Sequence, residues 1–156
     1  MTYAVIRIRG TVNIRPDIKE TLRLLMLTRA NHCVLVKDTP QARGMFQKAK
    51  DYITWGELTV DTAVLLLATR VEMPGGARVT DKTISASKKF PDSKAYAKAL
   101  ADGTASLKDI GAKRVIRLAP PVGGHGHVKR PYKDKGALGY RGKKINDLIA
   151  KMAGGI

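Results

Sequence analysis

Tyr3-Ala4-Val5-Ile6-Arg7-Ile8-Arg9 alternates along its length. Ala4, Ile6 and Ile8 share one side of an extended chain; Tyr3, Val5, Arg7 and Arg9 share the other. The pattern predicts a half-buried strand with its basic residues outside. Gly10 ends it, and the loop from Thr11 to Arg15 follows.

Outward from this strand the chain switches to helical spacing. Pro16 suits a first helical turn, Asp17 and Glu20 suit its dipole, and Ile18, Leu22, Leu25 and Met26 form a stripe. A helix is expected over 16–29. Asn31 and His32 break it, and Cys33 to Lys37 reads as a short apolar strand. Thr39 reads as an N-cap before Pro40, with Met45, Phe46, Ala49 and Ile53 lining one face of a helix that runs to about Ile53. Trp55-Gly56-Glu57 reads as a turn. Thr59 caps a helix over 60–70. Beyond Pro74-Gly75-Gly76, short helices over 81–88, 93–101 and 106–110, with Gly103 and Gly111 as stops, read as a helical insertion. Lys113 to Leu118 alternates again and is the third strand. Lys143 to Met152 is an amphipathic helix with Ile145, Leu148, Ile149 and Met152 on its apolar stripe.

The 156 residues suit one domain, and 44% hydrophobic with 27% charged residues permits a real core. The formal net charge of +16 speaks to partners: nucleic acid, an anionic membrane surface or an acidic protein. Cys33 is the one cysteine, so no internal disulfide forms and a reducing, intracellular home fits. The first residues lack the basic and apolar regions of a signal peptide, and the longest apolar run, Ala63 to Ala68, is far too short to span a bilayer.

The charge is concentrated. From Lys113 to Lys144 ten basic residues stand against one acid, Asp134. Most of this lies in Pro120-Pro-Val-Gly-Gly-His-Gly-His-Val-Lys-Arg-Pro-Tyr-Lys-Asp-Lys-Gly-Ala-Leu-Gly-Tyr-Arg-Gly-Lys-Lys144. Its glycines and prolines exclude an ordinary helix or central strand, and it has almost nothing to bury. A long basic loop with interleaved aromatics points to RNA; the bland alternative is a solvated loop.

Four stretches carry a family resemblance: Val5-Ile-Arg-Ile-Arg-Gly10, Asn31-His-Cys-Val34, Asp38-Thr-Pro-Gln-Ala-Arg-Gly-Met-Phe-Gln-Lys-Ala-Lys-Asp-Tyr-Ile-Thr-Trp-Gly56, and Pro120-Pro-Val-Gly-Gly-His-Gly-His-Val-Lys-Arg-Pro-Tyr-Lys-Asp-Lys-Gly-Ala-Leu-Gly139. The chain resembles the L-thirty family of large-subunit ribosomal proteins in its archaeal form, whose eukaryotic relatives are called L-seven. Residues 80–112 match nothing in it. The resemblance implies an α+β fold: a ferredoxin-like β-α-β-α-β core, its three-stranded antiparallel sheet having the first strand central and helices on one face. To this are added the helical insertion before the third strand, the extended basic loop and the C-terminal helix. The expected layout is a core over 1–57 and 113–119, an insertion over 58–112, an RNA-binding loop over 120–142, and a C-terminal helix and tail over 143–156. The resemblance also implies a structural constituent of the ribosome in the cytoplasm, bound to large-subunit ribosomal RNA and neighbouring ribosomal proteins. No catalysis, cofactor, membrane or small-molecule substrate is implied.

The candidate RNA contacts begin with Arg7 and Arg9 on a free sheet face, Asn13 and Arg15 in the first loop, and Arg43, Gly44 and Lys48 in the second helix. In the basic loop they are His125, His127, Lys129, Arg130, Tyr132, Lys133, Lys135, Tyr140, Arg141, Lys143 and Lys144. Lysines and arginines neutralise phosphates, and tyrosines stack on unpaired bases. Two rival readings are a metal-dependent nuclease using His125, His127 and Asp134, and a non-ribosomal adaptor for RNA, acidic proteins or membranes. The first lacks the carboxylates a metal pair needs, and the second lacks a basic amphipathic helix for the membrane.

Overall fold

Every residue from Thr2 to Ile8 is buried, so the first strand has no free face. The computed structural model describes residues 1–154; residues 155–156 of the expected tail lie outside the described residues. The elements run β1 (Thr2–Arg7), α1 (Pro16–Leu24), β2 (His32–Lys37), α2 (Pro40–Lys48), β3 (Ile53–Glu57), α3 (Val60–Thr69), α4 (Asp81–Ala86) and α5 (Ser93–Asp102). They continue with β4 (Val115–Arg117), β5 (His127–Pro131), β6 (Gly136–Tyr140) and α6 (Ile145–Ala153).

The fold is α+β, and β1 lies between two antiparallel neighbours as expected, but the sheet has six strands rather than three. The order is β4-β2-β1-β3-β6-β5. The strand from Lys113 to Leu118 shrinks to β4, which pairs with β2 at the edge. The place beside β1 is taken by β3, in the stretch that reads as the turn Trp55-Gly56-Glu57. Gly56 signals close packing here and not a bend: a Cβ would run into the Gly142 carbonyl oxygen and lie 2.9 Å from the Ile145 side chain. α2 therefore stops at Lys48, well before Ile53.

Helices cover both faces. On one, Ala4, Ile6 and Ile8 join α3, α5 and α6 through Leu66, Tyr96, Leu100, Ile145 and Ile149. On the other, Tyr3 and Val5 join α1 and α2 through Leu22, Phe46 and Trp55. The expectation of helices on one face fails because Tyr3-Ala4-Val5-Ile6 has no polar residue to give water. Residues 58–112 pack into the first core and supply about half of its buried residues, among them Leu66 of α3 and Tyr96 and Leu100 of α5. Cys33 is core, and burial pushes its thiol up to about 12.

Several local signals hold. Thr39 Oγ1 accepts from the Ala42 amide at 3.1 Å, and the Asp109 carboxylate accepts from the Ser106 amide at 2.7 Å. Gly103 and Gly111 close their helices at φ +82° and +72°. The α6 stripe of Ile145, Leu148, Ile149 and Met152 is buried. Each such side chain contributes about 1.5–3 kcal/mol of transfer free energy.

The basic loop is partly sheet. β6 runs parallel to β3, with Ala137 and Leu138 buried, so this half does have something to bury. β5 lies outside β6 in an irregular register and is exposed along its whole length.

Candidate nucleic-acid interface

The basic segment forms an arm on the sheet edge: β5, a 3-10 turn over Tyr132–Asp134, and β6. Arg141 pins its base. Its Nε donates to Thr54 Oγ1 at 2.9 Å and its Nη2 to the Ala137 carbonyl at 2.8 Å, while its guanidinium lies 4.8 Å from the Tyr132 ring centroid. Burial pulls the Arg141 pKa below the usual range, though an arginine stays charged. Arg141 thus holds the arm in place and orients Tyr132. Gly136 is required where the strands meet, because a Cβ would run into the Arg130 carbonyl.

With that base fixed, the remaining cations point to solvent. Lys129, Arg130, Lys133, Lys135, Lys143 and Lys144 are all exposed, and none joins an ion pair among the described residues. Val128 is exposed on the same arm, and Val122 in the loop before it.

Between the arm and α2 lies a groove of about 560 Å³. An aromatic chain runs along it: Tyr3 to Phe46 at 5.9 Å, Phe46 to Trp55 at 5.4 Å and Trp55 to Tyr140 at 6.4 Å between centroids. Tyr140 is 47% exposed, enough to offer a ring. Its hydroxyl donates to Glu57 Oε1 at 2.6 Å, which pushes its pKa up to about 12. Arg43, Lys50, Tyr132 and Lys133 complete the walls. Of these, Arg43 is forked onto Asp38 at 2.6 Å, which holds the Asp38 carboxyl below its usual range.

Tyr3, Trp55 and Lys50 also line this groove and are not among the residues expected from the sequence. Arg43, Gln47 and Lys50 recur at helical spacing and place α2 along the groove, whereas Gly44 and Lys48 are exposed away from it.

The free-sheet-face expectation fails at Arg7, which is 2% exposed. Its guanidinium donates to the carbonyls of Leu27 at 2.7 Å, Arg9 at 2.8 Å and Gly10 at 3.0 Å. It ties down the first loop. Arg9 is half-buried over the Tyr52 ring, 4.9 Å from its centroid. Asn13 takes φ +55° and is exposed, and Arg15 pairs with Asp17 at 3.3 Å.

His125 and His127 do not act together. His125 Nε2 meets Asn31 Oδ1 at 3.2 Å, its Nδ1 is buried without a partner, and burial followed by Arg141 lowers its pKa. His127 is exposed on β5. Among the described residues no group of three or more His, Cys, Asp or Glu side chains gathers to hold a metal ion. Likewise, no helix among them is long and apolar enough to cross a membrane.

The profile of the family described as Ribosomal protein L30p/L7e matches residues 3–53. The large ribosomal subunit protein uL30 of Methanosphaera stadtmanae is 45% identical over 96% of this chain and 99% of its own. Its counterpart in Methanopyrus kandleri is 48% identical over 92% of this chain and 99% of its own. That of Methanococcus maripaludis is 43% identical over 97% and 99%. These matches include residues 80–112, where the motifs had been silent.

Proposed function

The chain belongs to the ribosomal protein L30p/L7e family, and from that premise we propose that its β5–β6 arm and the neighbouring aromatic groove are its ribosomal RNA contact. A member of this family is a structural constituent of the large ribosomal subunit, placed in the cytoplasmic ribosome, and catalyses nothing. The arm's cations neutralise phosphates. An unstacked base enters the groove and meets Tyr140 and Tyr132, at about 1–3 kcal/mol per stacked base.

The observation that carries this reading is the set of six exposed cations on and beside one arm that pair with no acid among the described residues. A polyanion is the partner that compensates them. Binding to large-subunit RNA fragments is expected to weaken steeply with salt. Lys129→Ala with Arg130→Ala should lower the logarithmic salt slope by roughly 0.7–0.9 for each phosphate no longer neutralised and leave the melting curve unchanged. Affinity indifferent to salt from low to physiological strength overturns the reading.

A further inference from the structure

A second groove, of about 380 Å³, lies away from the arm between α1, β2, α2 and the turn after α5. Its walls are mainly apolar, among them Leu25, Leu35, Met45, Ala105 and Leu107. At its lip Leu24 is 63% and Met26 39% exposed. Among the described residues its charged lining is Lys37 and Arg114. Among the described residues neither joins an ion pair, and Arg114 Nη1 meets Met26 Sδ at 3.8 Å.

One wall is an unfinished strand edge. β4 pairs with β2 only from His32 to Val34. The Asp38 amide donates to the Met1 carbonyl on the β1 side at 3.1 Å, so strand alternation turns the amide and carbonyl of Lys37 toward the lane that β4 has left. Lys37 has no strand beside it there. An open edge beside apolar pockets is the geometry that accepts an added strand.

We infer that this groove takes an extended segment of a neighbouring protein in the assembled subunit, one that alternates apolar and acidic side chains. The apolar residues fill the pockets, the carboxylates meet Lys37 and Arg114, and the segment's backbone bonds the edge at Lys37. RNA is the weaker occupant. The walls offer Leu, Met and Ala where an RNA site offers aromatics and several cations, both of which the β5–β6 arm supplies. This inference rests on the ribosomal reading above.

The test uses intact large subunits carrying the full chain, with the photo-crosslinking residue p-benzoylphenylalanine in place of Leu24 in one preparation and of Val128 in another. Both positions are exposed, so the fold tolerates the change. From position 24 the expected adduct is polypeptide, mapped by mass spectrometry to a segment with apolar residues and carboxylates. From position 128 it is RNA. Lys37→Glu with Arg114→Glu should cut the first adduct at least fivefold and leave the second unchanged. RNA, a second copy of this chain, a segment lacking carboxylates, or no adduct at position 24 overturns the inference. Loss of the RNA adduct at position 128 counts instead against the RNA-contact reading, so the two failures are told apart.

Discussion

Arg7 shows how a charged residue in a strand can be structural. The guanidinium fork reaches three carbonyls that no backbone amide serves, those of Leu27, Arg9 and Gly10. Arg7→Met leaves the buried Leu27 carbonyl bare, at about 1–3 kcal/mol, and strips the part-buried carbonyls of Arg9 and Gly10 of their donor. Urea denaturation should show a loss of about 2–4 kcal/mol. Arg7→Lys should recover only part of it, since an ammonium cannot span three acceptors in a plane. RNA affinity of the folded fraction should be unchanged. The sequence hid this role because alternation alone assigns Arg7 to an outer face, and only the covered second face makes that position interior. The histidines add a pH dependence. Burial first lowers the pKa of both, followed by Arg141 for His125 and by Arg117, Arg29 and Arg7 for His32. Each also has a buried Nδ1 with no acceptor for a second proton. The unfolded chain therefore takes up these protons first, so their contribution is present above the ordinary value of 6.5 and is lost as pH falls through the lower folded-state values. The urea midpoint should drop between pH 7 and pH 5. His125→Gln should flatten that drop, and His32→Gln with it should flatten it further. The carboxylates of Asp38 and Asp109, held below their usual range, titrate beneath this window.

The glycines separate elements that were legible from those that were not. Thr39, Gly103 and Gly111 act on their own backbone, so their caps and stops could be read from neighbours in the chain. Gly56 answers to Gly142 and Ile145, far along the chain, and nothing beside it distinguishes such a glycine from a turn. The same distance hid β6, whose sheet partner is β3. The cationic arm was legible as composition. Its groove was not, because Tyr3, Lys50 and Trp55 meet Tyr132 and Tyr140 from far along the chain. Gly56→Ala should cost about 1–3 kcal/mol or more in urea denaturation, since β3 and the start of α6 must part to admit the methyl. Gly44→Ala is the contrast. It sits inside α2 with nothing within 4 Å of a Cβ, so it should stabilise by about 0.5–1 kcal/mol in the same measurement. Equal effects from the two substitutions would remove close packing as the reason for Gly56.

At the scale of the molecule, the sheet order sets the cationic arm on one edge and the unfinished end of β2 toward the other. The helices between them decide whether the sheet stands at all. The Lys113 amide donates to the Glu72 carbonyl at 2.9 Å, so the chain leaves and re-enters the core at one point, and residues 73–112 can be removed with the ends rejoined. A detachable insertion would leave a core of nearly unchanged stability. The packing argues the reverse. Tyr96 and Leu100 of α5 are almost wholly buried in the cluster that holds Ala4 and Ile6, and the Leu100 carbonyl accepts from Thr2 Oγ1 at 2.5 Å. Removing α5 uncovers one side of the central strand and the inner face of α3 together. Deletion of 73–112 should therefore keep much of the far-ultraviolet dichroism, lose the near-ultraviolet signal, bind a hydrophobic dye and unfold without a sharp transition. A deleted chain that melts as sharply as the whole, within a few degrees of it, would show that the sheet needs helices on one face only.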